Sequence, residues 1–486
     1  MRHRLLPLLL ALSSAAWAEP PAHVELTVTP AWKGWSRPGR VTELAILVGS
    51  DRAGPATLVV QAGAQTLRSA LQLVPGRPQQ LRLPLLAAPT MTVHVGTPDG
   101  VNQRQDLALS RSEAPVLAVA LASQAPLALA GFHTVVVLPD DLPRQEAAYA
   151  SIDALVVDAA SLGALDPAQL SALLAHAAGC GRIVVVNQDD RVRRMLEAAA
   201  GCSGQALMHA TQEAQAPALL AASLDRPLAT VATPQGVVDD EPPALAVWRS
   251  VAVFLACALA AGALSLLFSA TAVSLLGVPA LAAVAALALL QWMPAAAQLS
   301  IWSQADSGAP LARYQARQLF PGTARSTMQV ALPSLLAASA QPCDAAAALL
   351  LDVDARSGLA SAASFESRLF HQFSMCYSGT FPVSRALAVT PLAEAQLQVH
   401  NTAAQAWPAG RLLLPGRVQA LPALAPGGSA TLAAQAGRPA SGALERAALA
   451  LVDADRPAAL WALDLSGVSQ VPPGSRGWLL VSAGMP

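Results

Sequence analysis

The feature that most constrains this chain is a long segment near its middle that carries no charge. Residues 250–305 contain no Asp, Glu, Lys, Arg or His, an uncharged run of 56 residues. A helix needs about 20 apolar residues to cross a bilayer, so the run is long enough for two crossings and too short for three. It predicts a transmembrane helical hairpin at 248–297, whose two spans are bounded by Val251 and Ser269 and by Val273 and Trp292.

Three features of this predicted hairpin bear on its role. Trp248 and Trp292 fall at the same end of the hairpin, where interfacial aromatic side chains are typical. Ala258 and Gly262 form a small-xxx-small pair, which either supports close helix packing or simply faces lipid. The spans contain no charged residue, which argues against an ion path or a proton relay.

The composition excludes several classes of protein. The 486 residues are 54% hydrophobic and 13% charged. Disordered chains are rich in charge and poor in apolar residues, so this chain is not of that class. The 30 basic and 31 acidic residues give a formal net charge of −1, and no overall field attracts nucleic acid. We expect no nucleic-acid partner and no cofactor.

The first 18 residues have the layout of a secretory signal peptide. A basic start at 1–4 precedes an apolar run at 5–15 and the small-x-small triplet Ala16-Trp17-Ala18. We expect cleavage after Ala18, and an uncleaved anchor is the alternative. Together with the hairpin, this signal predicts a bacterial inner-membrane protein, in contact with the lipid bilayer, whose N-terminal and C-terminal domains lie in the periplasm.

Residues 22–112 have the pattern of an all-β domain. Short apolar or alternating runs occur at 23–28, 44–48, 56–60 and 91–95, and Gly and Pro turn signals separate them. Several short strands with regularly spaced turns are typical of an immunoglobulin-like (Ig-like) β-sandwich.

Residues 113–235 show a different period. Four nearly continuous apolar runs predict buried strands, at 116–121, 134–138, 153–158 and 182–186. Before the fourth run, Asp166 and Pro167 stand where the N-cap and the first residue of a helix belong. Strands that alternate with helices predict an α/β three-layer domain around a parallel sheet.

The stretch at 153–186 reads DALVVDAASLGALDPAQLSALLAHAAGCGRIVVV. It resembles the degenerate class I glutamine-amidotransferase-like domain of bacterial envelope proteins, over residues 115–188. Gly179-Cys180-Gly181 departs from the Gly-Gly pair of that family. The wider layout of sandwich, amidotransferase-like domain and transmembrane segments is similar as well. The resemblance implies a three-layer fold within a mostly uncharacterised family, and it implies no particular activity.

The same stretch lacks the residues of a working amidotransferase. Such an enzyme needs a Cys on a strand-to-helix elbow and a His that lowers the pKa of its thiol. Here the third strand leads to Ser161, while Cys180 falls at a helix C-terminus, where the dipole disfavours a thiolate. No motif orients His176. We predict no catalytic residue; residual hydrolase or amidotransferase activity requires Ser161, Cys180 or His176 to converge in a cleft.

Four of the five cysteines are candidates for disulfides. Cys180 and Cys202 fall in one predicted domain and Cys343 and Cys376 in another, whereas Cys257 falls in the apolar run. Four cysteines allow three pairings, between which the sequence does not choose, and four buried thiols are the alternative. Disulfides persist in the periplasm, the predicted compartment. The sequence has no Cys/His cluster, so we predict no metal site.

Residues 298–486 predict a β-rich extracytoplasmic domain, a second sandwich. The Asp-x-Asp tracts at 352–354 and 453–455 lack the Gly and Glu of a calcium loop, so they predict polar turns. The segment at 365–381 is rich in aromatic residues and surrounds Cys376. It predicts a core packed around a disulfide, with a ligand groove as the alternative.

Three functions compete. The first is a non-catalytic, membrane-anchored periplasmic scaffold or binding protein of the cell envelope, with an envelope protein as its partner. The second is an accessory subunit of a membrane transport or secretion complex, with the hairpin packed on partner helices. The third is a periplasmic hydrolase that uses the α/β domain. The first is preferred because well-formed structural segments occur without a catalytic constellation.

Overall fold

The computed structural model describes residues 23–483, apart from 124–126, 188–189, 201–205, 225–254, 256–258, 260–296, 321–325, 334–335, 337–338, 345, 368–371, 393–395, 434–436, 453–456 and 467. The predicted signal peptide at 1–18 therefore lies outside the described residues. So does all of the predicted hairpin except Leu255, Leu259 and its last residue, Ala297. The described part of the chain is mostly β-sheet, with 50% of the described residues in strands and 17% in helices.

The first part of the described chain is a series of short strands joined by turns. These are β1 (Val24–Pro30), β2 (Trp35–Ser36), β3 (Val41–Ser50), β4 (Gly54–Ala62), β5 (Gln65–Leu73), β6 (Gln79–Leu86), β7 (Thr90–Gly96), β8 (Asn102–Ala108) and β9 (Ser110–Arg111). Buried and exposed residues alternate along β4 and β5, because successive side chains of a strand point to opposite faces of the sheet. One face of each strand therefore lies in a core.

The second part contains parallel strands and most of the helices. Its elements are β10 (Val116–Ala120), β11 (His133–Val136), β12 (Ala154–Asp158), α1 (Ala159–Ala164), α2 (Pro167–Ala178), β13 (Ile183–Val186), α3 (Asp190–Ala199), β14 (Leu207–Ala210) and α4 (Ala216–Leu224), with 3-10 helices at Pro139–Asp141, Glu146–Ser151 and Glu213–Gln215. The strands form a parallel sheet in the order β11-β10-β12-β13-β14. Asp166 and Gln169 form a capping box that begins α2, with Pro167 as its first residue.

The third part returns to β structure. Its elements are β15 (Gln298–Asp306), β16 (Leu311–Phe320), β17 (Ser326–Ala331), β18 (Gln341–Pro342), β19 (Leu349–Val353), β20 (Ala360–Ser367), β21 (Phe373–Pro382), β22 (Leu387–Leu392), β23 (Gln396–Asn401), β24 (Gly410–Leu414), β25 (Arg417–Leu421), β26 (Ser429–Ala433), α5 (Ala443–Leu449), β27 (Ala458–Ala462) and β28 (Arg476–Ser482). Eight of these strands form one sheet in the order β18-β21-β16-β15-β28-β27-β24-β25, and β22, β23 and β26 form another.

Strands from the first and third parts share a seven-stranded sheet. Its order is β17-β20-β19-β5-β4-β7-β8. The junction is the parallel pair of β5 and β19, in which Gln65 lies opposite Leu349 and Arg68 opposite Asp352. The inner face of this sheet shares one core with β1, β3 and β6 and with part of the eight-stranded sheet, through residues such as Leu58, Leu351 and Phe320.

The predicted fold class is wrong. The Ig-like sandwich and the C-terminal sandwich are not separate layers, because their strands pair in one sheet and share one core. Within the described residues no α/β three-layer domain is evident, since 3-10 turns and Trp32, from the first part of the chain, help to cover the parallel sheet. The apolar strands do not reveal by themselves what buries them. The predicted domain boundaries stay predictions.

The predicted membrane anchor is corrected as well. Among the described helices, none is long and apolar enough to cross a membrane; α2, for example, has 12 residues, against about 20 for a crossing. The transmembrane hairpin and the location in a bacterial inner membrane therefore find no support among the described helices. The predicted span limits Val251, Ser269, Val273 and Trp292 lie outside the described residues.

A buried carboxylate fixes the first part of the chain to the second. Glu43 of β3 is fully buried, and its Oε2 accepts the backbone N–H groups of Arg144 and Gln145, each at 3.0 Å. The Arg82 guanidinium donates to Oε1 at 3.3 Å. Burial raises the pKa of Glu43, and Arg82 and the backbone donors partly offset that effect. Buried carboxylates are tolerated where they are paired and hydrogen-bonded in this way.

Candidate functional site

The exposed side of the seven-stranded sheet has the features of a binding surface. We call it the outer face, and its side chains include Thr57, Val59, Gln61, Thr66, Arg68, Ala70, Gln72, Thr92, His94, Arg104, Asp106 and Asp352. They alternate along the strands with core residues such as Leu58, Val60 and Val93, none of which is exposed. The strand period therefore separates a buried apolar face from an open polar one.

One row across the outer face carries most of its charge. The residues that lie opposite one another across β8, β7, β4, β5 and β19 in this row are, in order, Arg104, His94, Val59, Arg68 and Asp352. Arg68 Nη2 lies 2.8 Å from Asp352 Oδ1, and Arg104 Nη2 lies 3.0 Å from Asp106 Oδ1. Each arginine thus has an aspartate partner, and the row is polar without a large excess of either charge.

Asp106 organises the end of this row. Its Oδ1 accepts the Thr92 hydroxyl at 2.8 Å and the Arg104 Nε–H at 3.0 Å. The hydrogen bond from Thr92, followed by that from Arg104, lowers the pKa of Asp106. The carboxylate is therefore ionised at neutral pH and holds both neighbouring side chains in place.

Two depressions mark the outer face. The smaller, of about 200 Å³, is lined by Val59, Gln61, Thr92, His94 and Arg104. The larger, of about 640 Å³, lies around the other end of β4 and is lined by Pro55, Ala56, Thr57, Ala70, Leu71, Gln72, Gly96, Thr97 and Pro98. Both depressions combine apolar surface with hydroxyl, amide or charged groups, the combination that binding sites use for orientation.

The carboxyl ends of the parallel strands are the usual place for a ligand, at the point where the strand order reverses. Here that point lies between β10 and β12. The Asp158 carboxylate accepts the N–H of Ser161 at 2.7 Å and that of Ala122 at 2.9 Å. Ser161 is 1% exposed, and its Oγ has no hydrogen-bond partner within the described part of the chain. This arrangement caps α1 and gives the hydroxyl neither a base nor access to substrate.

His176 belongs to the packing of the second part. Its ring stacks on Tyr149, with ring centroids 4.9 Å apart, and a side chain at Gly181 would overlap it. Its Nε2 is shielded from solvent and has no partner among the described residues. Burial lowers the pKa of His176 to about 4, so the ring is neutral at pH 7.

The structure joins Cys343 and Cys376 by a disulfide bond, with Cα atoms 5.0 Å apart. Cys180 is disulfide-bonded too, while Cys202 and Cys257 lie outside the described residues. A disulfide sulfur is not a thiolate nucleophile. Of the three residues named above for a residual activity, Ser161 lies buried in the first turn of α1, Cys180 is crosslinked and His176 stacks in the interior.

The acidic tracts have structural roles where they are described. Asp352 pairs with Arg68, and Asp354 accepts the backbone N–H of Ser357 at 2.8 Å. The tract at 453–455 lies outside the described residues. Among the described residues, no three His, Cys, Asp or Glu side chains lie together in a way that could hold a metal ion.

The aromatic-rich segment packs into the interior. Phe365 stacks on Phe373 with centroids 4.0 Å apart, and Phe320 contacts Phe365 at 4.9 Å. Phe365 and Tyr377 are 3% and 2% exposed, so both lie in the core below the outer face. Phe370 lies outside the described residues.

The sequence-based interpretation missed the outer face. The sequence signal for this face is the alternation of polar with apolar residues in β4 and β7. Thr57 and Gln61 are four positions apart in β4, and Thr92 and His94 are two positions apart in β7. That period shows that each strand has a polar face. It does not show that β5 and β19 join these faces into one surface.

Comparisons with known proteins leave the family open. No family model matches the chain, and no curated protein matches it. One similar solved structure is a Paenibacillus sp. cycloisomaltooligosaccharide glucanotransferase, at 13% identity and a TM-score of 0.16, covering 28% of this chain and 20% of that chain. Another is the yeast delta-COP-I mu-homology domain complexed with a Dsl1 WxWxV peptide, at 8% identity and a TM-score of 0.21. The match covers 39% of this chain and 96% of that chain. This chain spans about a fifth of the glucanotransferase, and neither TM-score carries an argument.

Proposed function

We propose that this chain is a non-catalytic binding protein that holds a protein partner on the outer face. The observation that carries the proposal is the row from Arg104 through His94 to Val59, which borders the 200 Å³ depression on an open sheet face. Asp106 holds Arg104 and Thr92 at this depression, so these two side chains need little further ordering when a partner binds.

The dimensions of the outer face suit a macromolecule. Seven strands spaced about 4.8 Å apart make a sheet about 29 Å wide. A standard protein interface buries about 800 Å² on each side, a patch of similar width. Small-molecule sites are instead clefts that enclose most of the ligand, and this face is open.

The chemistry of the outer face favours a protein over a nucleic acid. Each arginine of its charged row is paired with an aspartate, and phosphate backbones are bound by unpaired basic patches. The outer-face residues named above include no Phe, Tyr or Trp on which bases could stack. Mixed charges around partly apolar depressions are typical of a protein interface.

The places of the candidate catalytic residues also support binding rather than catalysis. The Ser161 hydroxyl is buried, and Cys180 is disulfide-bonded. His176 is a neutral, stacked ring whose Nε2 is shielded from solvent. No described feature favours the hydrolase alternative.

The test is site-specific photo-crosslinking in the cells that make the protein. A photoreactive amino acid replaces Thr57, which is exposed beside the larger depression, and in a matched control it replaces Thr431, which is exposed on β26. We expect one reproducible protein adduct from position 57 and none of that mass from position 431. Equal labelling from both positions, or no adduct from position 57, contradicts the proposal.

The identified partner then allows a quantitative test. With the purified partner, His94→Ala and Gln61→Ala are expected to weaken binding about tenfold, while Thr431→Ala leaves the Kd unchanged. The identity of the partner also separates a scaffold from an accessory subunit of a transport or secretion complex. Full binding by both outer-face variants contradicts the assignment of this face.

A further inference from the structure

β8 is an edge strand with a free side. Within the described residues, its one neighbour in the seven-stranded sheet is β7. The Thr97 N–H donates to the Val101 carbonyl at 3.0 Å, and the Leu109 N–H donates to the Pro89 carbonyl at 2.9 Å. Backbone groups of alternate residues point the same way. Odd-numbered residues of β8 therefore bond to β7, and even-numbered residues direct their N–H and C=O groups outward.

The sequence of β8, NQRQDLA, is self-complementary. When an antiparallel copy is placed on a twofold axis at Gln105, Arg104 faces Asp106 of the second copy. Both residues belong to the outward-bonding set, so the pair exchanges two backbone hydrogen bonds and brings opposite charges together. The neighbouring registers place Arg104 opposite Arg104, or Asp106 opposite Asp106, and like charges repel. The charges thus select one register.

We propose that two copies of this chain pair through their β8 strands, so that the seven-stranded sheet continues across a twofold axis. The Arg104 and Asp106 side chains are 63% and 62% exposed, so their weak ion pair within one chain can be exchanged for the same pair between two copies. Val101 and Leu107 are only partly buried, and the β8 region packs beside β1. A second copy covers these apolar groups.

β8 lacks two of the devices that block edge strands, a proline and a bulge. Charged side chains also discourage edge pairing, but the two charges of β8, Arg104 and Asp106, have opposite signs and complement those of a second antiparallel copy. The strand contains no proline, and its register with β7 runs without a shift from Asn102 to Ala108. The dimer satisfies the outward backbone groups and sets two outer faces side by side, which raises the avidity for a repeated partner.

Charge reversal is the first test, by sedimentation velocity of the full-length chain at about 1 to 100 µM. Arg104→Asp and Asp106→Arg each create like-charge pairs across the axis, and we expect the dimer Kd to rise about tenfold or more. Mixing the two variants is expected to restore dimers, because each reversed charge then meets an opposite one. Contacts within each chain stay repulsive, so recovery reports pairing between copies alone.

The control is Arg68→Asp, an exposed reversal in the middle of the same sheet, which is expected to leave the dimer unchanged. A wild-type chain that stays monomeric overturns the proposal. So do single variants that dimerise like the wild type, or a mixture of folded variants that stays monomeric.

A crosslink tests the same register without altering charge. The two copies of Gln105 face each other, with Cα atoms about 4.5 Å apart in a non-hydrogen-bonded pair, within disulfide range. Gln105→Cys is expected to give a covalent dimer under mild oxidation. The matched control Gln103→Cys is not, because its copies lie four residues, about 14 Å, apart along the strands. Equal crosslinking at both positions, or none at 105, overturns the register.

Discussion

The parallel sheet and the seven-stranded sheet use their strands in opposite ways. Every residue of β10, β12 and β13 is buried, because the side chains of successive residues enter two different cores. Leu155 and Val185 pack on one side, and Val156 and Val184 on the other. In β4, by contrast, Leu58 and Val60 are buried while Thr57 and Gln61 are exposed.

This difference teaches where each sheet has freedom to change. A sheet covered on both faces has no side chain that is free to serve a partner, so its sequence is constrained by packing. A sheet with one open face keeps its stability in the covered half and leaves the other half for recognition. The candidate binding surface accordingly lies on the seven-stranded sheet, although the parallel sheet contains the stretch that resembles a known family.

The largest expected effect contrasts one valine from each sheet. Val184→Asp places a carboxylate in a fully buried position of β13, and we expect a loss of about 4 kcal/mol or more in the free energy of unfolding, or failure to fold. Val59→Asp, on the outer face, is expected to cost less than about 1 kcal/mol. Urea denaturation followed by circular dichroism measures both. Similar losses for the two variants would break the comparison.

The next contrast is between two carboxylates. Glu43→Ala leaves Arg82 and two backbone N–H groups without their acceptor in a buried site, and is expected to cost about 3 to 5 kcal/mol. Asp106→Ala removes an exposed acceptor and is expected to leave the urea midpoint unchanged. If Asp106→Ala proved the more damaging change, the outer face would be a structural element rather than a free surface.

A pH series tests the covered region through its buried histidine, His176. The folded pKa of His176, about 4, lies below its ordinary value of 6.5, so the unfolded chain binds more protons between these values. The contribution of the neutral His176 ring to the free energy of unfolding is fully present above pH 6.5. It is lost as the pH falls to 4, by about 3 kcal/mol in total. His176→Gln is expected to flatten the pH dependence of the unfolding free energy over this range. An unchanged slope in His176→Gln refutes this role.

The smallest effect is expected from an ion pair on the outer face. Arg68→Ala removes the partner of Asp352, but the Arg68 side chain is 50% exposed, and such pairs contribute less than about 1 kcal/mol. We expect the urea midpoint to stay within error and the β5–β19 pairing to persist. A loss as large as that of Glu43→Ala would show that the charged row holds the sheet together.

Local chemistry made part of the fold predictable. The apolar runs at 116–121, 153–158 and 182–186 coincide with β10, β12 and β13, because burial on both faces leaves a continuous apolar signature. Asp166 and Pro167 begin α2, since a cap is formed by residues close in sequence.

The long-range features left no such signature. The pairing of Arg68 with Asp352 joins residues 284 positions apart, and no local pattern specifies which strand a sheet edge will meet. The same holds for His176, whose environment depends on Tyr149 and Gly181 from neighbouring segments. The outer face was not predicted for the same reason. Each of its strands is specified by a short stretch of sequence, but the pairing that joins them into one surface depends on residues far apart in the chain.

The junction between β5 and β19 also determines when the seven-stranded sheet can finish folding. Contacts so distant in sequence form slowly, because a long loop must close before they stabilise anything. During synthesis at about 5 to 20 residues per second, β19 is made on the order of tens of seconds after β5. Throughout that interval the nascent sheet presents an open edge to other chains. The seven-stranded sheet is therefore complete only after the strands of the third part of the chain have been made. Until then, correct folding requires that the edge of β5 does not pair with the strands of other chains.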